Sequence, residues 1–116
     1  MRERRQVPRY KFSAKGRLTS ASNEILSEVT LTTLSVAGCR ARGSGVPVAG
    51  EKCRLEFEWE GRQFQDDVEV KWMRPNGEAG FTFVSLEDAN LQLIRRICAT
   101  LHMEPLNPEP PEPEEE

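Results

Sequence analysis

The stretch CRLEFEWEGRQFQDDVEVKWM, Cys53 to Met73, decides the fold. Its first half alternates. Cys53, Leu55, Phe57 and Trp59 fall on one side, and Arg54, Glu56, Glu58 and Glu60 on the other. A period of two marks a strand with one buried face and one wet face. Gly61 and Arg62 supply a turn. The run from Phe64 to Met73 alternates again, with Phe64, Val68, Val70 and Trp72 as inner-face candidates. Two such strands around a short turn read as an antiparallel hairpin.

The β pattern extends on both sides of this hairpin. SAKGRLTS (13–20) alternates weakly, and EILSEVTLTTLS (24–35) is rich in β-branched residues. VAGCRARG (36–43) begins with a glycine turn and runs into a short strand, and the glycines and proline of GSGVPVAG (43–50) mark a loop. RPNGEAG (74–80) is turn chemistry, because Asn76-Gly77 tolerates positive φ. FTFVSL (81–86) reads as a last short strand. The period then changes. Within 87–103, Leu91, Ile94, Ile97, Cys98 and Leu101 fall at helical spacing, with Ser85 or Asp88 as candidate caps. About six short antiparallel strands followed by one helix predict a small β-barrel with the helix packed against it.

The chain has 116 residues, enough for one domain with a modest core. Its charge is unevenly placed. Residues 1–17 carry Arg2, Arg4, Arg5, Arg9, Lys11, Lys15 and Arg17 against Glu3 alone, whereas Glu104 to Glu116 holds six glutamates and no base. The chain's formal charge is −3, so without those six glutamates it is +3. The organisation expected is a basic arm over 1–12, a barrel with its helix over 13–103, and an acidic Pro/Glu tail over 104–116.

Several function classes fall away. No apolar run approaches the roughly 18–20 residues of a membrane span, and the arginine-rich start has no apolar stretch behind it, so a cytoplasmic protein is expected. Cys39, Cys53 and Cys98 are widely spaced, and His102 is the only histidine, which rules out the usual zinc spacings. No nucleophile elbow or phosphate loop is present. Asp66 and Asp67 are adjacent on a strand and therefore face opposite ways, a poor acid/base pair. The chain is not expected to be an enzyme.

Arginine clusters remain. Arg5 and Arg9 are four apart, but Pro8 disfavours a helix there, so the segment reads as an extended or turning arm. Guanidinium is a planar, permanently charged fork that suits phosphate oxygens and the O6/N7 edge of guanine. Further on, in LTTLSVAGCRAR, Ser35 offers a hydroxyl and Gly38 permits close backbone approach. Arg40 and Arg42 lie on one face of the next strand and can extend a positive surface or stand exposed.

RRQVPR followed by TLSVAG resembles the PilZ domain family, the bacterial receptor module for cyclic di-GMP. The family's R-x-x-x-R is similar to Arg5–Arg9, with Arg4 as the frequent preceding arginine. Its [D/N]-x-S-x-x-G is similar to Thr33, Ser35 and Gly38. The run VEVKWMRPNGEAGFTFVSLED resembles the family's last strands and its way into the final helix. The resemblance covers roughly residues 4–101. It implies a six-stranded antiparallel split β-barrel with a C-terminal helix and no catalysis. Cyclic di-GMP would lie between the arm and the barrel. Arg4, Arg5, Arg9, Thr33, Ser35, Gly38 and Arg40 would bind it, with no other cofactor. Ligand binding would reorder the arm and signal to an unidentified protein partner. One departure stands out: threonine occupies position 33, where the family carries Asp or Asn. Losing a hydrogen bond to a charged acceptor costs about 1.5–3 kcal/mol, or roughly 10- to 150-fold in affinity. The alternative implied is a degenerate domain that binds no cyclic di-GMP and serves protein interaction. Nucleic-acid binding through the basic arm is disfavoured, because no aromatic series interleaves with the arginines.

Overall fold

The computed structural model describes residues 8–101. Six antiparallel strands, β1 (Tyr10–Thr19), β2 (Ile25–Leu34), β3 (Gly38–Gly43), β4 (Lys52–Trp59), β5 (Arg62–Met73) and β6 (Glu78–Phe83), precede one helix, α1 (Asp88–Cys98). They close into a barrel in the order β1-β2-β3-β6-β5-β4. The expected six-stranded antiparallel barrel with its terminal helix is the fold observed.

The opening hairpin forms as its alternation dictates. β4 and β5 pair from Lys52↔Glu69 to Trp59↔Arg62, and Cys53, Leu55, Phe57, Phe64 and Val68 all turn into the core. Four phenylalanines run through the barrel. Phe12 meets Phe57 edge-on at 5.7 Å, Phe57 stacks on Phe64 at 4.8 Å, and Phe64 lies 5.6 Å from Phe83. Such pairs add roughly 0.5–1.5 kcal/mol each beyond their buried area. Closure comes from β1, which pairs with β4 from Gly16↔Phe57 to Thr19↔Arg54.

Several boundaries differ from the sequence reading: β5 already begins at Arg62, read as part of the turn, and β6 ends at Phe83, short of the expected Leu86. β1 starts at Tyr10, so residues 10–12, counted with the arm, are strand: Phe12 is buried in the core while Lys11 and Ser13 point out. β6 starts at Glu78, inside the stretch read as a turn, because Ala79 is a small inward core residue. The helix occupies Asp88–Cys98, shorter than 87–103, and its buried side is Leu93, Ile94, Ile97 and Cys98, with Leu91 only partly covered.

Neither Ser85 nor Asp88 caps that helix; Glu87 is the N-cap residue and makes no side-chain cap. Asp66 supplies the tie from β5 instead. Its Oδ2 accepts from the Glu87 N–H at 3.1 Å and from Asn90 Nδ2 at 3.0 Å. Its neighbour Asp67 faces the other way, 3.5 Å from Arg54 Nε. The two aspartates are structural ties on opposite faces. At its other end the helix lies over the start of the β2–β3 turn, with Cys98 Sγ 4.0 Å from the Leu34 carbonyl oxygen.

Candidate functional site

The site begins at the turn joining β2 and β3. The Ser35 N–H donates to the Gly38 carbonyl at 2.8 Å, closing the turn. The Ser35 hydroxyl accepts from the Ala37 N–H at 3.0 Å and the Gly38 N–H at 3.2 Å, and donates to Gly38 O at 3.3 Å. One donor and two lone pairs are the whole capacity of a hydroxyl. Ser35 is therefore spent on its own turn and shapes the site rather than offering a free hydroxyl. Gly38 is required by close approach: a Cβ there would run into the Phe81 carbonyl oxygen and sit 3.0 Å from its carbon. The missing side chain lets β3 meet β6, and the Phe83 N–H donates to Ala37 O at 3.0 Å to lock the turn onto β6.

Pairing then sets one rung across five strands. Lys11 pairs with Thr33, Thr33 with Arg40, Arg40 with Gly80 and Gly80 with Trp72. Leu34, Cys39, Ala79 and Phe81 point into the core, so this rung lies on the barrel's outer surface. The pairing irregularity between Val70 and Trp72 brings Trp72 to that surface. Trp72, expected on the inner face, instead lies across Gly80. A Cβ on Gly80 would meet three indole atoms, with Cε2 at 2.5 Å and Cζ2 at 2.8 Å. The Arg74 guanidinium covers the ring 4.7 Å from its centroid and binds Glu78 at 2.8 Å.

A cleft of about 170 Å³ opens on this rung. Arg9, Thr33, Ser35, Gly38 and Arg40 line it together with Lys71, Trp72, Gly80 and Thr82. Five of the seven residues singled out in the sequence thus meet in one place; Arg4 and Arg5 lie outside the described residues. Thr33 is 5% exposed, and its Oγ1 accepts from Arg40 Nε at 3.4 Å. Arg9, Arg40 and Lys71 are cations, and among the described residues no carboxylate lines the cleft. Glu69 approaches Lys71 Nζ at 4.0 Å from outside it. A second groove of about 620 Å³ shares Thr33 and Arg40 and adds Lys11, Trp59 and Leu101. Guanidinium and ammonium groups beside an indole are the chemistry that suits an anion carrying a planar ring.

Lys71, Trp72, Gly80 and Lys11 were not singled out for the site. A glycine in the middle of β6, flanked by inward residues, was the available signal, since strand glycines mark close approach. Burial holds the three thiols protonated: Cys39 is pushed up to about 12, and Cys53 and Cys98 to about 11. Among the described residues no helix is long and apolar enough to cross a membrane, and no group of three or more His, Cys, Asp or Glu is placed to hold a metal.

The sequence profile of the PilZ domain matches residues 3–100. No curated protein sequence matches the chain. Among solved structures, the PilZ domain of YcgR from Escherichia coli with c-di-GMP superposes with a TM-score of 0.68 at 16% identity, covering 85% of this chain and 92% of that one. The Bacillus subtilis inhibitor of motility, MotI/DgrA, gives 0.66 at 16% identity over 84% of this chain and 51% of its own. Escherichia coli YcgR in complex with c-di-GMP gives 0.66 at 20% identity over 82% and 44%. The chain thus spans about half the length of these two longer proteins.

Proposed function

The chain belongs to the PilZ domain family, and from that premise we propose that it is a non-catalytic receptor for cyclic di-GMP in the bacterial cytoplasm. The observation that carries this reading is the cleft where Arg9, from the segment preceding β1, meets Thr33 and Arg40 of β2 and β3. On this reading the guanidinium forks of Arg5 and Arg9 take phosphates and guanine edges of the ligand, and Arg4, which precedes them in sequence, adds charge. Arg40 and Lys71 add charge on the barrel side. Ser35 and Gly38 act through the turn they build, which sets Thr33 and Arg40 on one rung.

The arm and the barrel are then the two halves of the site. Ligand held by both favours one arm arrangement over others, and the free-energy difference between arrangements is the signal. The surface so changed is read by a protein partner.

Calorimetric titration of the full chain with cyclic di-GMP, beside an Arg5→Ala/Arg9→Ala variant, tests this. Micromolar or tighter binding that the variant loses supports it. Heat that is unchanged in the variant removes the arm from the site. A second reading is favoured by Thr33, a nearly buried hydroxyl already engaged by Arg40 where the family carries Asp or Asn. On that reading the chain is a barrel that no longer binds cyclic di-GMP and serves protein interaction, and the titration is silent at high ligand.

A further inference from the structure

We infer that residues 104–109, EPLNPE, dock in the groove shared by Lys11, Arg40 and Trp59, so that the chain carries its own competitor for the ligand site. The inference rests on the receptor reading above and adds the regulation of that site.

The groove lies where the barrel's closing seam stops pairing. Among the described residues, β1 and β4 pair from Thr19↔Arg54 to Gly16↔Phe57 and no further. Past that point the first half of β1 pairs with β2, and Trp59 of β4 pairs with Arg62 of β5. The groove of about 620 Å³ is lined there by Phe12 of β1 and by Trp59, with Leu101 beside them. These three give it an apolar wall, and Lys11 and Arg40 give it charge. Glu78 also lines it, with its carboxylate on Arg74 at 2.8 Å.

Three observations choose the occupant. The first is where the described chain leads. Leu101, its last residue, already lines the groove, so the residues that follow start from it. The second is charge. Glu104 and Glu109 come three and eight residues after Leu101, within a stretch that holds no base. Lys11 pairs with Thr33 and Thr33 with Arg40, so the two cations stand two strands apart, about 10 Å. The two glutamates are at most about 16 Å apart in an extended proline-rich backbone, and long side chains close the difference. The third is the backbone itself. Pro105 and Pro108 fix φ at about −65°, which favours an extended segment with little entropy left to lose. Aromatic-lined grooves take such segments, and Leu106 brings an apolar side chain to Phe12 and Trp59. Thr33 and Arg40 line both this groove and the ligand cleft. A carboxylate seated on Arg40 and a ligand phosphate seated there therefore exclude each other.

The test compares the full chain with two variants of it. Glu104→Gln/Glu109→Gln removes the charges of the docking segment. Glu114→Gln/Glu115→Gln removes the same charge beyond it. Amide and indole spectra are recorded first without ligand. The first variant is expected to shift Lys11, Ser13, Thr33, Arg40 and the Trp59 indole N–H and to leave Glu56 and Gln63 on the opposite face in place; the second variant moves none of them. Calorimetric titration with cyclic di-GMP follows. Each exposed ion pair is worth a factor of roughly 1.4 to 5, so losing two tightens ligand binding by about 2- to 30-fold in the first variant. The second variant binds as the unaltered chain does. Groove signals that the first variant leaves in place, or that both variants move equally, overturn the docking. Shifted groove signals with an unchanged dissociation constant overturn the competition. No binding of cyclic di-GMP by any of the three chains overturns the receptor reading and the competition with it, and the ligand-free spectra decide the docking on their own.

Discussion

Gly80→Ala displaces Trp72, and the cost can be worked from contacts. The three atoms nearest an added Cβ all belong to the Trp72 indole, with Cε2 at 2.5 Å and Cζ2 at 2.8 Å. Contacts that short cannot persist, and the obstacle is a side chain, so the indole lifts off β6. Lifting forfeits the stacking of Arg74, worth about 0.5–1 kcal/mol at an exposed site. Forcing extra volume into a packed position costs about 1–3 kcal/mol. The loss of glycine's excess freedom in the unfolded chain returns about 0.5–1 kcal/mol. The net expectation is about 1–3 kcal/mol, and at roughly 4–8 °C per kcal/mol for a domain of this size the melting temperature falls by about 5–20 °C. Thermal melts followed by circular dichroism measure this. Indole emission in a Trp59→Phe background should shift to the red as Trp72 becomes wetter. The decisive control is Gly80→Ala placed on Trp72→Ala. With the indole gone the obstacle is gone, and the same substitution becomes neutral or slightly stabilising, so the cycle returns a coupling of about 1–3 kcal/mol. Equal cost on both backgrounds would refute the reasoning.

Other substitutions separate the parts of the structure. Ser35→Ala leaves two turn N–H groups without their hydroxyl acceptor and should cost about 1–3 kcal/mol in urea denaturation, with weaker ligand binding through a loosened turn. Asp66→Ala removes the acceptor for Glu87 and Asn90, and should lower stability in urea by about 1–2 kcal/mol while hydrogen exchange accelerates first at the start of α1. The thiols give a pH dependence. Burial raises Cys39 from 9.0 to about 12, with the Cys53 thiolate adding to it. The unfolded chain therefore binds fewer protons above pH 9, and stability falls as pH rises from there, by about 1.4 kcal/mol per pH unit for that one thiol. Urea midpoints at pH 8 and pH 10 should diverge, and Cys39→Ala should narrow the gap.

Much of the barrel was legible because it is written in a period of two. Cys53 to Trp59 and Phe64 to Val70 declare their faces, and the Gly61 turn joins them. The start of β1 was hidden because Lys11 belongs to two patterns. It continues the basic run of the arm, and it is also an outward strand residue beside buried Phe12. The start of β6 was hidden because Glu78-Ala79-Gly80 has the small residues of a turn, while those residues are small to fit the core and the indole. The helix caps misled because a cap from another strand has no local signature. For the site, Arg9, Thr33, Ser35, Gly38 and Arg40 were readable from spacing and resemblance, and they do gather around one cleft. Lys71 and Trp72 were not, because the irregularity that turns Trp72 outward breaks the alternation from which its face was read.

The most direct test of the central claim is amide and indole chemical-shift mapping of the labelled chain during titration with cyclic di-GMP. The expected result is saturable perturbation of Arg9, Thr33, Arg40, Lys71, Gly80 and the Trp72 indole N–H, with the opposite face at Glu56, Glu58 and Gln63 unmoved. Perturbation centred on that opposite face, or none at millimolar ligand, would contradict the claim that this rung of the barrel is a receptor site.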